Sequence, residues 1–315
     1  MLMSEPSSYS LSRYLKAKQT VDERSLNRRI EQRFYSELAD LASSTKEPLS
    51  ILDLGAGHGP TAKRLVRDIE DRAVDSLTYH LVDQSSQLMD EARTDLREWM
   101  EERGYEIQKG AQGLRCSRRN QMIAFSFHTA EAAHFLRRRL DGQVSSVIAQ
   151  SFLDLTKVTD VLELLHHNTR DRGVLYFPLT FDGGTRFLPK GPAVISDRII
   201  EYYHESMQRT ADDEPTGGAQ TGAQLLEEVP NIGSFLEVGS SDWLVYPQAD
   251  DGYARDEAYF LHHILHFVEN ELSSDPRLSS ENFSEWLSHR RRCIEQERLI
   301  YQANQLDVLA RVEKP

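Results

Sequence analysis

The chain is short of cysteine, of bases and of long apolar runs, and each shortage excludes something. Two cysteines among 315 residues, Cys116 and Cys293, build neither a disulfide framework nor a cysteine zinc site. No run approaches the ~18 consecutive apolar residues of a membrane span. The opening Met1-Leu2-Met3-Ser4-Glu5-Pro6 is polar and acidic, unlike a signal or transit peptide, so a cytoplasmic protein is expected. Bases number 37 against 50 acids, a net charge of −13 that repels polyanions at long range. Neither nucleic acid nor membrane is therefore expected as a partner. The clusters Arg115/Arg118/Arg119, Arg137-Arg138-Arg139 and Arg290-Arg291-Arg292 read as solvated faces. What remains, 39% hydrophobic and 28% charged, suits a globular chain with one large core.

The organising stretch is Ile51-Leu52-Asp53-Leu54-Gly55-Ala56-Gly57-His58-Gly59-Pro60. An apolar run from Leu49 to Leu54 reads as a buried strand, and the glycines mark a tight turn. Pro60 suits the first position of a helix whose stripe is Ala62, Leu65, Val66 and Ile69. Strand, glycine turn and helix together let a ligand approach bare backbone at the positive end of a helix. Leu77–Val82 predicts a second strand ending in Asp83, an acceptor-only carboxylate placed to take both hydroxyls of a ribose. A third strand, Met122–Phe127, leads to His128-Thr129-Ala130-Glu131. A fourth, Val144–Ala149, runs into Gln150-Ser151-Phe152-Leu153-Asp154, and a fifth, Gly173–Thr180, into Phe181-Asp182-Gly183-Gly184-Thr185. Asp53, Asp83, Thr129, Gln150, Asp154 and Asp182 thus gather at one sheet edge, where open α/β sheets bind ligands.

The spacing is G-x-G-x-G behind an acid, not the G-x-G-x-x-G of nicotinamide-binding folds. Asp53 through Gly59 resembles the first motif of class I S-adenosylmethionine (SAM)-dependent methyltransferases, over about residues 49–182 plus the last strands. The resemblance implies an α/β fold with a seven-stranded, doubly wound, mostly parallel Rossmann-like sheet. It implies SAM as cofactor, S-adenosylhomocysteine as product, and cofactor contacts at Asp53, Gly55, Ala56, Gly57, Asp83, Gln84, Thr129, Ala130, Gln150, Ser151 and Phe152. Two departures matter. His128 or Thr129 stands where the family usually offers an Asp to adenine. The D/N-P-P-Y-type sequence of the DNA-methylating branches is missing after the fourth strand, which argues against a base-flipping enzyme.

Around this core, residues 1–48 are expected to form a helical cap and 49–182 the SAM-binding unit. Residues 183–233 are expected as a lid or insertion, and 234–315 as the last two strands with a helical insertion between them, all in one compact domain. One long amphipathic helix is predicted from Ser10 to Leu41, with a capping box at Thr20-Val21-Asp22-Glu23 and Tyr14, Lys18 and Asp22 at the pocket mouth. Residues 103–120 read as a surface insertion, Asp197–Met207 as a helix, and Asp212–Gly222 as a mobile gate. Phe235–Tyr246 reads as one strand, Phe283–Gln302 as a helix and Leu306–Val312 as the last strand. His262 and His266 share a helical face, but without an H-E-x-x-H pattern or a third ligand no metal is expected. Asp154, Asp182 and His262, with His204 beside them, are the candidate bases, and Tyr14, Lys18, Tyr203 and His204 the candidate substrate contacts. The expected activity is methyl transfer to O or N of a small molecule, because a helical cap encloses a small acceptor. A protein methyltransferase and a non-catalytic SAM-binding regulator are the alternatives, and a homodimer is left open.

Overall fold

The computed structural model describes residues 5–70, 72, 74–110, 113–138, 143–191, 193–209, 214–249 and 251–314. The elements run α1 (Leu11–Ser25), α2 (Arg28–Ser43), β1 (Leu49–Leu54), α3 (Pro60–Ile69), β2 (Ser76–Asp83), α4 (Ser86–Glu102), β3 (Glu106–Lys109), β4 (Gly113–Arg118), β5 (Gln121–Thr129), α5 (Ala132–Arg137) and β6 (Val144–Ile148). They continue with α6 (Val158–Asn168), β7 (Thr169–Leu188), α7 (Ala193–Ser206), α8 (Thr221–Glu228), β8 (Gly233–Ser240), β9 (Trp243–Val245), α9 (Glu257–Leu272), α10 (Ser280–Glu295) and β10 (Ile300–Val312).

The sheet order is β3-β4-β5-β2-β1-β6-β7-β10-β8, with β9 on β10. Its centre, β5-β2-β1-β6-β7, is parallel. Parallel neighbours need crossovers, and these place helices on both faces of the sheet, so the central strands are buried on both sides. Ile30, Phe34, Leu65 and Leu96 from α2, α3 and α4 pack on one face. Leu136, Leu162, Leu165 and Leu225 from α5, α6 and α8 pack on the other. A second core joins α1, α7, α9 and α10 beyond the carboxyl ends of β7, around Phe260, Leu265 and Trp286.

The expected Rossmann-like sheet is present, but with ten strands rather than seven. The extra strands are the β3–β4 hairpin, where a surface insertion was expected, and β9. β8 and β9 are separated at Ser241-Asp242 because the Asp242 carboxylate accepts from the Gln305 amide (3.1 Å) and Gln302 Nε2 (3.3 Å), occupying the ladder there. α10 stops at Glu295, and β10 starts at Ile300, earlier than expected.

The N-terminal segment is two helices. Leu26 leaves the helix at ψ 133°, and the Asn27 side chain caps α2 by accepting from the Ile30 amide. The buried Asp307 carboxylate on β10 fixes the break, accepting from the amides of Asn27 (3.0 Å) and Leu179 (2.8 Å). Thr20 and Glu23 therefore lie inside α1 and form no capping box; Ser10 caps that helix. The expected gate at 212–222 begins outside the described residues, as do residues 1–4. Among the described residues no helix is long and apolar enough to cross a membrane.

Candidate active site

The carboxyl ends of β1, β6 and β7 face a cavity of about 660 Å³, roofed by α1 and closed on its far side by β9, α9 and β10. At the near end the glycine turn takes left-handed backbone at Gly55 (φ 67°), Gly57 (φ 52°) and Gly59 (φ 74°), where a Cβ is disfavoured. A Cβ on Gly55 would sit 2.4 Å from the Phe152 ring. On Gly57 it would meet only Leu15, at 3.6 Å, so the backbone is bare where the turn lines the cavity.

Asp83, at the end of β2, accepts from the Gly57 amide (3.1 Å) and the Ser85 amide (2.9 Å). Thr129 stands opposite it in register, and the Ala130 amide donates to the Asp83 carbonyl (3.0 Å). Gln84 and Thr129 are exposed. Asp83, Gln84, Thr129, Ala130 and Phe152 are not among the cavity's walls, but they adjoin the turn that is. Asp53, Gly55, Ala56, Gly57, Gln150 and Ser151 do line it.

A buried polar chain runs under this end. Asp53 accepts from the Tyr79 hydroxyl (2.8 Å); burial pushes its carboxyl up to about 7, against the pull of Tyr79 and Arg64. Arg64, paired with Glu31, donates to Gln150 Oε1 and to Thr61 Oγ1 (3.3 Å). Gln150 Nε2 donates to Asp22 (3.1 Å). Lys18 pairs with Asp22 and donates to Ser151 Oγ at 3.2 Å. α1 is thereby tied to the end of β6.

The far end is aromatic. Tyr14, Phe181, Tyr203, Trp243, Phe267 and Tyr301 line it, and Tyr14 meets Phe267 edge-on at 5.2 Å. Three inaccessible polar atoms on its walls have no partner: Asp154 Oδ1, Gln305 Oε1 and Trp243 Nε1. Burial raises the Asp154 carboxyl, opposed by a backbone hydrogen bond of its own and by the charge of Lys18.

Of the candidate bases only Asp154 lines the cavity. Asp182 is turned onto α8, where its carboxylate fills the space beside Gly222 and accepts from the Ala223 amide. His262 is buried on a different face of α9 from Ile264, Phe267 and Glu271, which do line the cavity; burial and Arg291 hold its imidazole down to about 4. Tyr14, Lys18 and Tyr203 line it as well. His204 lies in an adjacent cavity, with its Nε2 2.9 Å from Thr185 Oγ1; Thr185 borders both. His266 stacks on Tyr9 at 4.0 Å, and among the described residues no three metal-ligating side chains gather. Sequence reasoning missed Trp243, Phe267, Tyr301, Gln305 and Arg64. The aromatic density around 243–267 was the one available signal.

No curated protein matches the chain. A SAM-dependent methyltransferase from Thiobacillus denitrificans, in complex with S-adenosyl-L-homocysteine, is 14% identical over 86% of this chain and 90% of that one, with a TM-score of 0.40. The cyclase SpnF is 13% identical over 88% and 81%, with a TM-score of 0.40. The plantazolicin methyltransferase BamL is 12% identical over 96% and 87%, with a TM-score of 0.38. At such scores these likenesses decide neither acceptor nor reaction. Residues 32–163, from within α2 into α6, match the family model described as "Putative S-adenosyl-L-methionine-dependent methyltransferase". That span holds the glycine turn, Asp83 and the Gln150–Asp154 strand end, and it is this part of the chain that is similar to the SAM-dependent methyltransferases of that family.

Proposed function

We propose that the cavity seats SAM at its glycine end and a small molecule at its aromatic end, and that the methyl group moves to an O or N atom by in-line displacement. The observation that carries this reading is one continuous space from Gly57 to Trp243 and Tyr301. Its volume, about 660 Å³, falls in the range of small-ligand pockets. An aromatic chamber roofed by α1 favours a small acceptor over a protein side chain, which needs an open groove.

The residues fit the cofactor. Bare backbone at Gly55, Ala56 and Gly57 admits the adenosyl group, and Asp83 is placed for the ribose hydroxyls. Gln84, Thr129 and Ala130 border the base. Asp53, Gln150, Ser151 and Phe152 surround the methionine end, where the buried Asp53 carboxyl suits an ammonium group. The sulfonium supplies an activated methyl. The chain's own contribution is position, worth up to about 7–11 kcal/mol of the barrier, and exclusion of water by α1. Asp154 is the one candidate base within reach of an acceptor, and such a base adds roughly 10²–10⁴-fold.

Incubation with methyl-labelled SAM and whole-cell extract, followed by separation of low-mass products from protein, tests the reading. Label in low-mass products is expected. Label confined to protein would replace the small acceptor with a protein one, and no transfer despite tight S-adenosylhomocysteine binding would leave a regulator.

A further inference from the structure

Every charged side chain on the cavity wall has an assignable partner except on the acidic side. Lys18 is committed to Asp22 and Ser151, Arg64 to Glu31 and Gln150, and Arg209 has a partner of its own. Among the described residues no base is bonded to Asp154, and its Oδ1 is buried without a partner. Gln305, 3% exposed, lines the same space and carries a second unpartnered acceptor, Oε1, buried behind its surface. A buried acceptor left unpaired costs about 1–3 kcal/mol, more when charged, so these atoms call for a ligand that donates hydrogen bonds.

The surrounding surface narrows the ligand further. The same cavity is lined by the aromatic side chains of Tyr14, Trp243, Phe267 and Tyr301. The Trp243 ring already takes a cation, since Lys18 Nζ lies 4.9 Å from its centroid. Rings plus an unpaired carboxyl form the chemistry of ammonium recognition. An anionic ligand would instead meet Asp154 and Glu271 with nothing free to neutralise it.

We infer that the methyl acceptor is an amine, whose nitrogen sits among Tyr14, Trp243, Phe267 and Tyr301 and is held by the carboxyl of Asp154 with Gln305 Oε1 as second acceptor. The inference rests on the reading of this cavity as the acceptor site. For transfer, the bound ammonium gives one proton to the Asp154 carboxylate and regains its lone pair. That nitrogen attacks the sulfonium's methyl carbon. The C–N bond forms as the C–S bond breaks, the electron pair of the broken bond stays on sulfur as a neutral thioether, and the positive charge passes to the methylated nitrogen.

The test is calorimetry on the full chain saturated with S-adenosylhomocysteine. It uses matched sets of arylalkyl and alkyl amines, such as tyramine, with their alcohol and carboxylate counterparts, such as tyrosol and 4-hydroxyphenylacetate. At least one amine is expected to bind about tenfold or more tightly than its alcohol, with no measurable binding of the carboxylate. Asp154→Asn should remove that preference while S-adenosylhomocysteine affinity stays the same. The wild-type ranking decides even if that variant fails to fold. S-adenosylhomocysteine binding without any amine binding, or an alcohol or carboxylate binding as tightly as its amine, overturns the inference and leaves the cofactor reading intact. Failure of S-adenosylhomocysteine to bind overturns the reading beneath it, and the inference with it.

Discussion

Lys18 and Asp22, one turn apart on α1, form a buried ion pair directly over the end of β6. The pair is shared with the strand: Lys18 reaches Ser151 Oγ, and Asp22 accepts from Gln150. A helix from the first thirty residues thus completes the polar end of a cavity whose other walls come from the sheet and from later helices. Both charges are desolvated together, so neither is tolerated alone.

Asp22→Ala should therefore destabilise the fold by about 3–5 kcal/mol, because it strands the Lys18 ammonium in a buried setting. The paired replacement Lys18→Met/Asp22→Leu should recover most of that loss. Urea unfolding of the three variants checks the order. Equal destabilisation by the single and double variants would mean that the two charges are not coupled.

The near end of the cavity was legible in the sequence because its signals are local. An apolar strand, three glycines and a proline sit within about ten residues, and Asp83 closes the next apolar run. The far end was not legible. Tyr14, Phe181, Trp243, Phe267 and Tyr301 come from five elements spread over the chain, and only tertiary packing brings them together. The same holds for the α1–α2 break. Asn27 alone is a weak stop signal, and what fixes it is Asp307, a residue 280 positions away. Asp182 and His262 sat on plausible strand-end and helix positions, yet their side chains turn elsewhere.

Asp83→Ala should weaken S-adenosylhomocysteine binding about 10- to 100-fold, the worth of one or two charge-assisted hydrogen bonds to sugar hydroxyls. The stability cost should be smaller, since among the described residues Asp83 braces only the Gly57 and Ser85 amides. Gly57→Ala should also weaken binding while costing about 1–2 kcal/mol of stability for its left-handed backbone. Calorimetry alongside thermal unfolding separates the two effects. Unchanged affinity in both variants would remove the glycine end as the cofactor site.

The raised carboxyl of Asp53 gives stability a pH dependence of defined sign. Its ordinary value is 3.8, and in the fold burial moves it to about 7. Between those values the folded chain keeps a proton that the unfolded chain has released. Stability is then greatest at the acid end of the window and declines as pH rises from about 4 to about 7. Asp53→Asn should flatten that slope in melting temperatures across the window. A wild-type slope that persists in the variant would assign the titration to another group.

The cap is anchored at both ends, which bears on whether it opens. Toward α9, Arg24 and Thr20 both bond the Glu257 carboxylate, which is 1% exposed, and Arg13 pairs with Asp256 at 2.9 Å. Toward α4, Lys16 pairs with Glu91 at 2.9 Å, and the Ser12 carbonyl lies 3.2 Å from His58 Nε2 in the glycine turn. The α9 contacts are the stronger set because Glu257 is desolvated, whereas surface pairs such as Lys16–Glu91 contribute about 0–1 kcal/mol. Arg24→Ala should cost about 1–2 kcal/mol, because the guanidinium is itself 40% exposed and screened by solvent and Thr20 still donates to the buried carboxylate. Lys16→Ala should be nearly silent in stability. Amide hydrogen exchange should then show α1 opening faster in Arg24→Ala than in Lys16→Ala, with the glycine side of the helix hinging on the α9 side. Faster exchange in Lys16→Ala would reverse that assignment and place the hinge at the glycine turn.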